Sequence, residues 1–175
     1  MIIMINGAFG VGKTSVAEEL KSRISGSILF DPEMVGYLLR EMIPLEIRQN
    51  EAKTGDFQDY IMWKKLVVKV AEELMETYHE TLIVPMTIYN QERFEYIYNG
   101  FKKIDDKTHH FCLMGEKETI ADRLLKRGEE EGNWCFQQIE KGLSGFASGT
   151  FDEYIQTDKL SVNEITEHIL SRLEV

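Results

Sequence analysis

Short apolar runs alternate with longer stretches in which apolar residues recur every three or four positions, and this alternation organises the chain from end to end. The runs at 1–6, 27–31, 81–87, 108–114 and 154–157 read as strands. Between them, Val16, Ala17, Leu20 and Ile24 share one helical face, as do Tyr60, Trp63, Val67, Val70 and Leu74. Asn90 is a good N-cap for a helix that buries Phe94, Ile97, Tyr98 and Phe101. Ser161-Val-Asn-Glu164 is a capping box opening a last helix with Ile165, Ile169 and Leu173 inward. Strands alternating with helices imply an α/β fold, a five-stranded parallel sheet covered by helices on both faces. Between the fourth and fifth strands, Glu116–Arg127 and Trp134–Gly142 read as two helices joined by an acidic loop, a small helical lid over about residues 116–142.

Composition narrows the picture. A chain of 175 residues, 43% hydrophobic and without repeat or Pro/Gly/Ser linker, predicts one domain over 1–175. A net charge of −10 argues against nucleic-acid backbones and anionic membranes as partners and leaves a small molecule. No apolar run approaches the ~20 residues of a membrane span, and Met1–Ile5 carries no charged leader. Cys112 and Cys135 have neither disulfide-framework nor metal-ligand spacing, which suits a reducing cytoplasm. The four histidines show no zinc spacing and take no role.

The first strand runs into Gly7-Ala8-Phe9-Gly10-Val11-Gly12-Lys13-Thr14, followed by Ser15. The pattern GxxxxGK[ST] needs glycines because main-chain N–H groups must approach phosphate oxygens that a side chain would fend off. In that reading Lys13 reaches the β- and γ-phosphates of ATP, Thr14 offers its hydroxyl to Mg2+, and the helix dipole faces the anion. A chance Gly-rich turn is the bland alternative; a strand before it and an amphipathic helix after it favour the phosphate loop.

Asp31 follows the second strand, at the sheet edge where open α/β folds bind ligands. An ionised carboxylate there can deprotonate an acceptor hydroxyl or hold a Mg2+-bound water; Asp before Pro32 also suits an N-cap, and one residue can serve both. Glu33 is the weaker candidate, and Arg40, two turns along, is a candidate grip on the acceptor. The third strand ends at Thr87, without the acid that assists Mg2+ in many phosphate-loop enzymes. Arg93, in the helix beyond, could face the site, but a surface arginine is the favoured reading. Arg123 and Arg127, four apart on one helical face, suit closure over ATP, against the alternative of a solvated face paired with glutamates 129–131. Leu124 and Leu125 turn toward packing, Gly128 and Gly132 suit hinges, and Trp134, Gln138 and Lys141 at helical spacing are candidate acceptor contacts.

The runs IIMINGAFGVGKT, DPEMVGYLLR, LIVPMTI, HHFCLMGEKETIADRLLKR and IQTDKLS together resemble the bacterial tunicamycin-resistance proteins, a branch of the P-loop kinase-like ATPases, over nearly the whole chain. The layout is more distantly similar to shikimate, gluconate and adenylate kinases. The resemblance implies strand order 2-3-1-4-5, an adenine-side loop at Thr157-Asp158-Lys159, ATP on Gly7–Thr14, acceptor contact at Asp31 and lid contacts at Arg123 and Arg127. Kinases of this layout often carry an arginine after the lid, where this chain has Lys141. Two activities follow as expectations: transfer of the ATP γ-phosphoryl group to a hydroxyl of a nucleoside- or sugar-like acceptor, or ATP-dependent sequestration of an antibiotic. Phosphorylation of a nucleoside monophosphate fits less well, since the acceptor-side segments are short of arginines for a second phosphate.

Overall fold

A computed structural model describes residues 1–149 and 151–173. Five parallel strands form one sheet in the order β2-β3-β1-β4-β5, with β1 at Ile2–Gly7, β2 at Ser27–Leu29, β3 at Thr81–Met86, β4 at Thr108–Met114 and β5 at Glu153–Gln156. The order matches the expectation. β1 is central, every one of its residues buried, with Ile2 opposite Leu82 on one side and Thr108 on the other. A strand buried on both faces reads as the continuous apolar run that opens the chain.

The helices are α1 (Lys13–Arg23), α2 (Pro32–Met42), α3 (Leu45–Glu51), α4 (Trp63–Tyr78), α5 (Gln91–Ile104), α6 (Lys117–Lys126), α7 (Trp134–Ser148) and α8 (Val162–Arg172), with a 3-10 turn at Phe57–Asp59. Asn90 caps α5 and Ser161 with Glu164 forms the capping box of α8, as the sequence indicates. Val16, Ala17 and Leu20 of α1 are buried, and α1 packs beside α8 while α4 packs beside α5. Among the described residues, no helix is long and apolar enough to cross a membrane.

Some boundaries differ from expectation, among them the end of α7, which lies at Ser148 and not at Gly142. β2 stops at Leu29, not at residue 31, because Asp31 turns out of the strand to cap α2. Its early end accommodates Pro85 in the sheet interior. Ile83 gives its carbonyl to the Phe30 N–H on the β2 side, so Pro85, two residues on, turns its missing donor toward an edge where β2 has already left. The helix with Trp63, Val67 and Ala71 inward begins at Trp63; Tyr60 lies outside it, still buried, after the 3-10 turn. α3 and the 3-10 turn have no counterpart in the hydrophobic pattern, and neither contains a buried residue.

Beside β4, His110 is buried among Phe94, Tyr98 and Phe151, and neither ring nitrogen has a hydrogen-bond partner. Burial pushes its pKa down to about 4, only partly opposed by Asp152. The unfolded chain binds a proton near pH 6.5 that the folded protein refuses until about pH 4, so stability falls as pH drops through that window, by roughly 3 kcal/mol at most. His110→Phe is expected to flatten that dependence. Thermal melts of both proteins from pH 7 to 4 check it: parallel curves would show that His110 does not carry the loss.

Candidate active site

β1 delivers Asn6 and Gly7 to the carboxyl edge of the sheet, and the chain turns through Ala8–Gly12 into α1. At Gly7, φ is 147°, and a Cβ there would stand 2.5 Å from the Leu113 carbonyl oxygen of β4. Gly12 is the N-cap of α1 with φ 111°, again a conformation that L side chains rarely adopt. No side chain caps α1 and no acid lies in its first turn, so its leading N–H groups and positive dipole end face the loop. Thr14 and Ser15 are exposed beside it. These are the backbone features that the sequence pattern of a phosphate loop requires.

Lys13 folds back over this loop. Its Nζ donates to the Ala8 carbonyl at 2.8 Å and stands 5.5 Å from the centroid of the Phe9 ring. Burial lowers its pKa to about 8; Glu33 works hardest against that lowering, Arg127 adds to it, and Asp31 opposes it more weakly. One ammonium therefore senses Glu33, Arg127 and Asp31, three of the charged groups singled out from the sequence. Glu33 is itself raised above the ordinary carboxylate range, by burial first and then by the charge of Asp31. Asp31 spends one oxygen on α2, accepting the Glu33 N–H at 2.9 Å with Pro32 at the first helical position. The cap reading of Asp31 holds, and Glu33 is the carboxylate that Lys13 senses more strongly.

Thr87 follows β3 at the place where an acid is lacking. Its hydroxyl is buried and without a hydrogen-bond partner, an arrangement that costs about 1–3 kcal/mol unless a ligand or its water answers it. Its carbonyl accepts Gln58 Nε2 at 2.9 Å. Beneath, Asn6 is fully buried: its Oδ1 accepts the N–H groups of Gly7 and Ile88, each at 2.9 Å, and its Nδ2 donates to the Ile88 carbonyl at 2.9 Å. Sequence reasoning passed over Asn6, although a lone amide closing an otherwise apolar strand just before the first loop glycine is a visible signal.

The two lid arginines part company. Arg123 donates to the Val11 carbonyl at 3.0 Å, to the Thr157 hydroxyl at 2.8 Å and to the Thr157 carbonyl at 2.7 Å, tying α6 to the phosphate loop and to the loop after β5. Asp158 fastens that same loop to the start of α6 by accepting the Glu116 N–H at 2.8 Å. Arg127 is the exposed C-cap of α6, close enough to influence Lys13. Leu124 is buried, whereas Leu125 turns outward at 47% exposure because it falls on the helix's solvent side. Gly128 and Gly132 have φ of 86° and 83°, which suits the turns between α6 and α7.

Arg40, a candidate acceptor contact, donates to the Gly55 carbonyl at 2.8 Å and lies 5.2 Å from the Phe57 ring centroid, so it braces the segment before the 3-10 turn. Arg93 pairs with Asp59 of that turn, and this half-buried pair corrects the expectation of a plain surface arginine. Trp134, 56% exposed at the start of α7, meets Phe9 edge to face with ring centroids 5.0 Å apart. Gln138 is half-buried one turn on and Lys141 is exposed. Further along α7, a Cβ on Gly142 would stand 3.2 Å from Ala8 Cβ, so the helix rests on the phosphate loop.

Comparison with known proteins follows this geometry. A family model described as AAA domain matches residues 3–141. The solved tunicamycin resistance protein of Deinococcus radiodurans is 30% identical, with a TM-score of 0.80 over 99% of this chain and 95% of that one. A sugar kinase from Janibacter is similar at a TM-score of 0.71 and 15% identity, covering 99% of this chain and 94% of its own. A gluconokinase from Sinorhizobium meliloti is similar at 0.66 and 15% identity, over 98% and 90%. These last two likenesses are of fold. No curated protein sequence matches the chain.

Proposed function

The chain belongs to the AAA-domain family and, within the phosphate-loop kinase-like fold, to the tunicamycin resistance proteins, and on that premise we propose that it is an ATP-dependent phosphotransferase acting on a hydroxyl of a nucleoside- or sugar-like acceptor. The observation that carries the reading is the gathering of Lys13, Glu33, Asp31 and Arg127 at the mouth of the glycine loop. The loop's positive-φ glycines and the uncapped start of α1 fit a triphosphate, and the exposed Thr14 hydroxyl with the partnerless Thr87 hydroxyl fit a hydrated Mg2+.

ATP with its Mg2+ supplies the phosphoryl group and draws off its charge. Lys13 exchanges the Ala8 carbonyl for phosphate oxygens, and Arg127 closes from the lid (116–142) onto the charge that develops between donor and acceptor. Arg123 holds the loop at Thr157-Asp158 for the base. Glu33 receives the acceptor's hydroxyl proton, while Asp31 anchors α2, and its remaining oxygen would hold water on a bound Mg2+. Trp134, Gln138 and Thr87 line the acceptor side, with Arg40 shaping its wall.

A second reading has its own support: β3 ends at Met86 and Thr87 with no acid for the metal, which suits ATP-dependent sequestration of an antibiotic such as tunicamycin without transfer. Incubation with MgATP and a panel of nucleoside and sugar antibiotics, tunicamycin included, separates the two by mass spectrometry. An acceptor heavier by one phosphoryl group is the expected result. A compound retained only with ATP and recovered unchanged would overturn the transferase reading in favour of sequestration.

A further inference from the structure

We propose that Asn6 is the positioning residue that locks the phosphate loop to the exit of β3, making the nucleotide cradle and the acceptor wall one body. The amide spans two backbones 82 positions apart in sequence, binding Gly7 N–H on one side and both Ile88 N–H and carbonyl on the other. A side chain that only filled core space would need none of these bonds, and leucine would fill it without desolvating an amide. Main-chain pairing does not duplicate the lock, since the β1–β3 register ends at Asn6 opposite Met86. Gly7 and Ile88 therefore lie past the ladder, and the Asn6 side chain joins the two strands beyond it, one residue past the last pair on β1 and two past it on β3.

The lock is continued outward. Thr87, adjacent to Ile88, accepts Gln58 Nε2, and the Gln58 N–H is held by Asp56. Asp59 of the same turn accepts the Thr54 hydroxyl and pairs with Arg93. A path of hydrogen bonds thus runs from the first residue of the glycine loop to the acceptor-side turn, and Asn6 is its first link. On the other side, Gly7 pairs with Leu113 of β4, so close that an added Cβ would stand 2.5 Å from the Leu113 carbonyl oxygen. The loop's base is clamped between β3 and β4, with its N–H groups aimed before any phosphate arrives.

The effect on ligand affinity rests on the ATP-binding reading; the lock itself does not. Asn6→Leu removes all three bonds, and Asn6→Thr, strand-compatible and one bonded atom shorter, loosens them if leucine prevents folding. Thr166→Val is the matched control, a buried polar residue on α8 whose hydroxyl has no partner. Amide exchange should accelerate at Gly7 and Ile88 together in either Asn6 variant and at neither in Thr166→Val. Titration calorimetry should find ATP bound about ten-fold more weakly by the Asn6 variants, from two buried N–H donors left unanswered. Coupled loosening of both amides supports the lock even if wild type binds no ATP, which would sink the ATP reading alone. Unchanged exchange at Ile88, or wild-type ATP affinity in both Asn6 variants, overturns the proposal.

Discussion

Lys13→Ala is expected to weaken ATP binding by at least about 100-fold, because it removes the half-buried cation folded over the glycine loop, and charge-assisted bonds to phosphate are among the strongest a side chain makes. The wild-type residue adds a pH signature. With burial holding Lys13 at about 8, roughly half the molecules are neutral there, and a bound triphosphate draws the proton back. Affinity should fall as pH rises through about 8, and binding at that pH should take up protons. Titration calorimetry in buffers of different ionisation enthalpy measures the uptake directly. Equal heats across buffers, or an alanine variant with native affinity, would remove Lys13 from the site.

Glu33→Gln is expected to lower phosphoryl-transfer turnover by about 100- to 10,000-fold while leaving ATP affinity near that of wild type, the range for loss of a general base. Asp31→Asn is the informative partner. Asparagine caps a helix as well as aspartate does, so α2 keeps its start and only the charge is lost. Turnover that survives Asp31→Asn and collapses in Glu33→Gln assigns the proton to Glu33; the reverse pattern assigns it to Asp31. Because Glu33 is raised by burial and by Asp31, the acid limb of the rate profile should lie above the ordinary carboxylate range, with activity falling as Glu33 gains its proton. Replacing Asp31 by asparagine should move that limb downward.

These two residues show how far the sequence can be read. The glycine loop was legible because its backbone demands are local: a strand, three glycines and a helix within fourteen residues. The strands and most helices were legible because burial imposes a period, and α3 escaped because it buries nothing. That an acid follows β2 was equally plain. Which of the pair Lys13 senses more strongly was not, since that depends on how the fold sets both carboxylates around the glycine loop. Arg123 illustrates the larger gap. Its spacing to Arg127 announced a shared helical face, but its partners are Val11 and Thr157, distant along the chain, and no local pattern foretells them. Asn6 stood out as one polar residue at the tail of an apolar run, but its partner, 82 residues away, was not legible.

The edge-to-face contact of Phe9 with Trp134 carries a practical consequence. The chain has two tryptophans, and Trp63, 1% exposed, gives its indole N–H to the Pro32 carbonyl deep beside α2, whereas Trp134 is 56% exposed at the loop. Emission from the first reports whether the protein is folded, and emission from the second reports what happens at the glycine loop. With Trp63 changed to phenylalanine, the remaining fluorophore becomes a native optical gauge of occupancy and lid movement, and no dye need be attached.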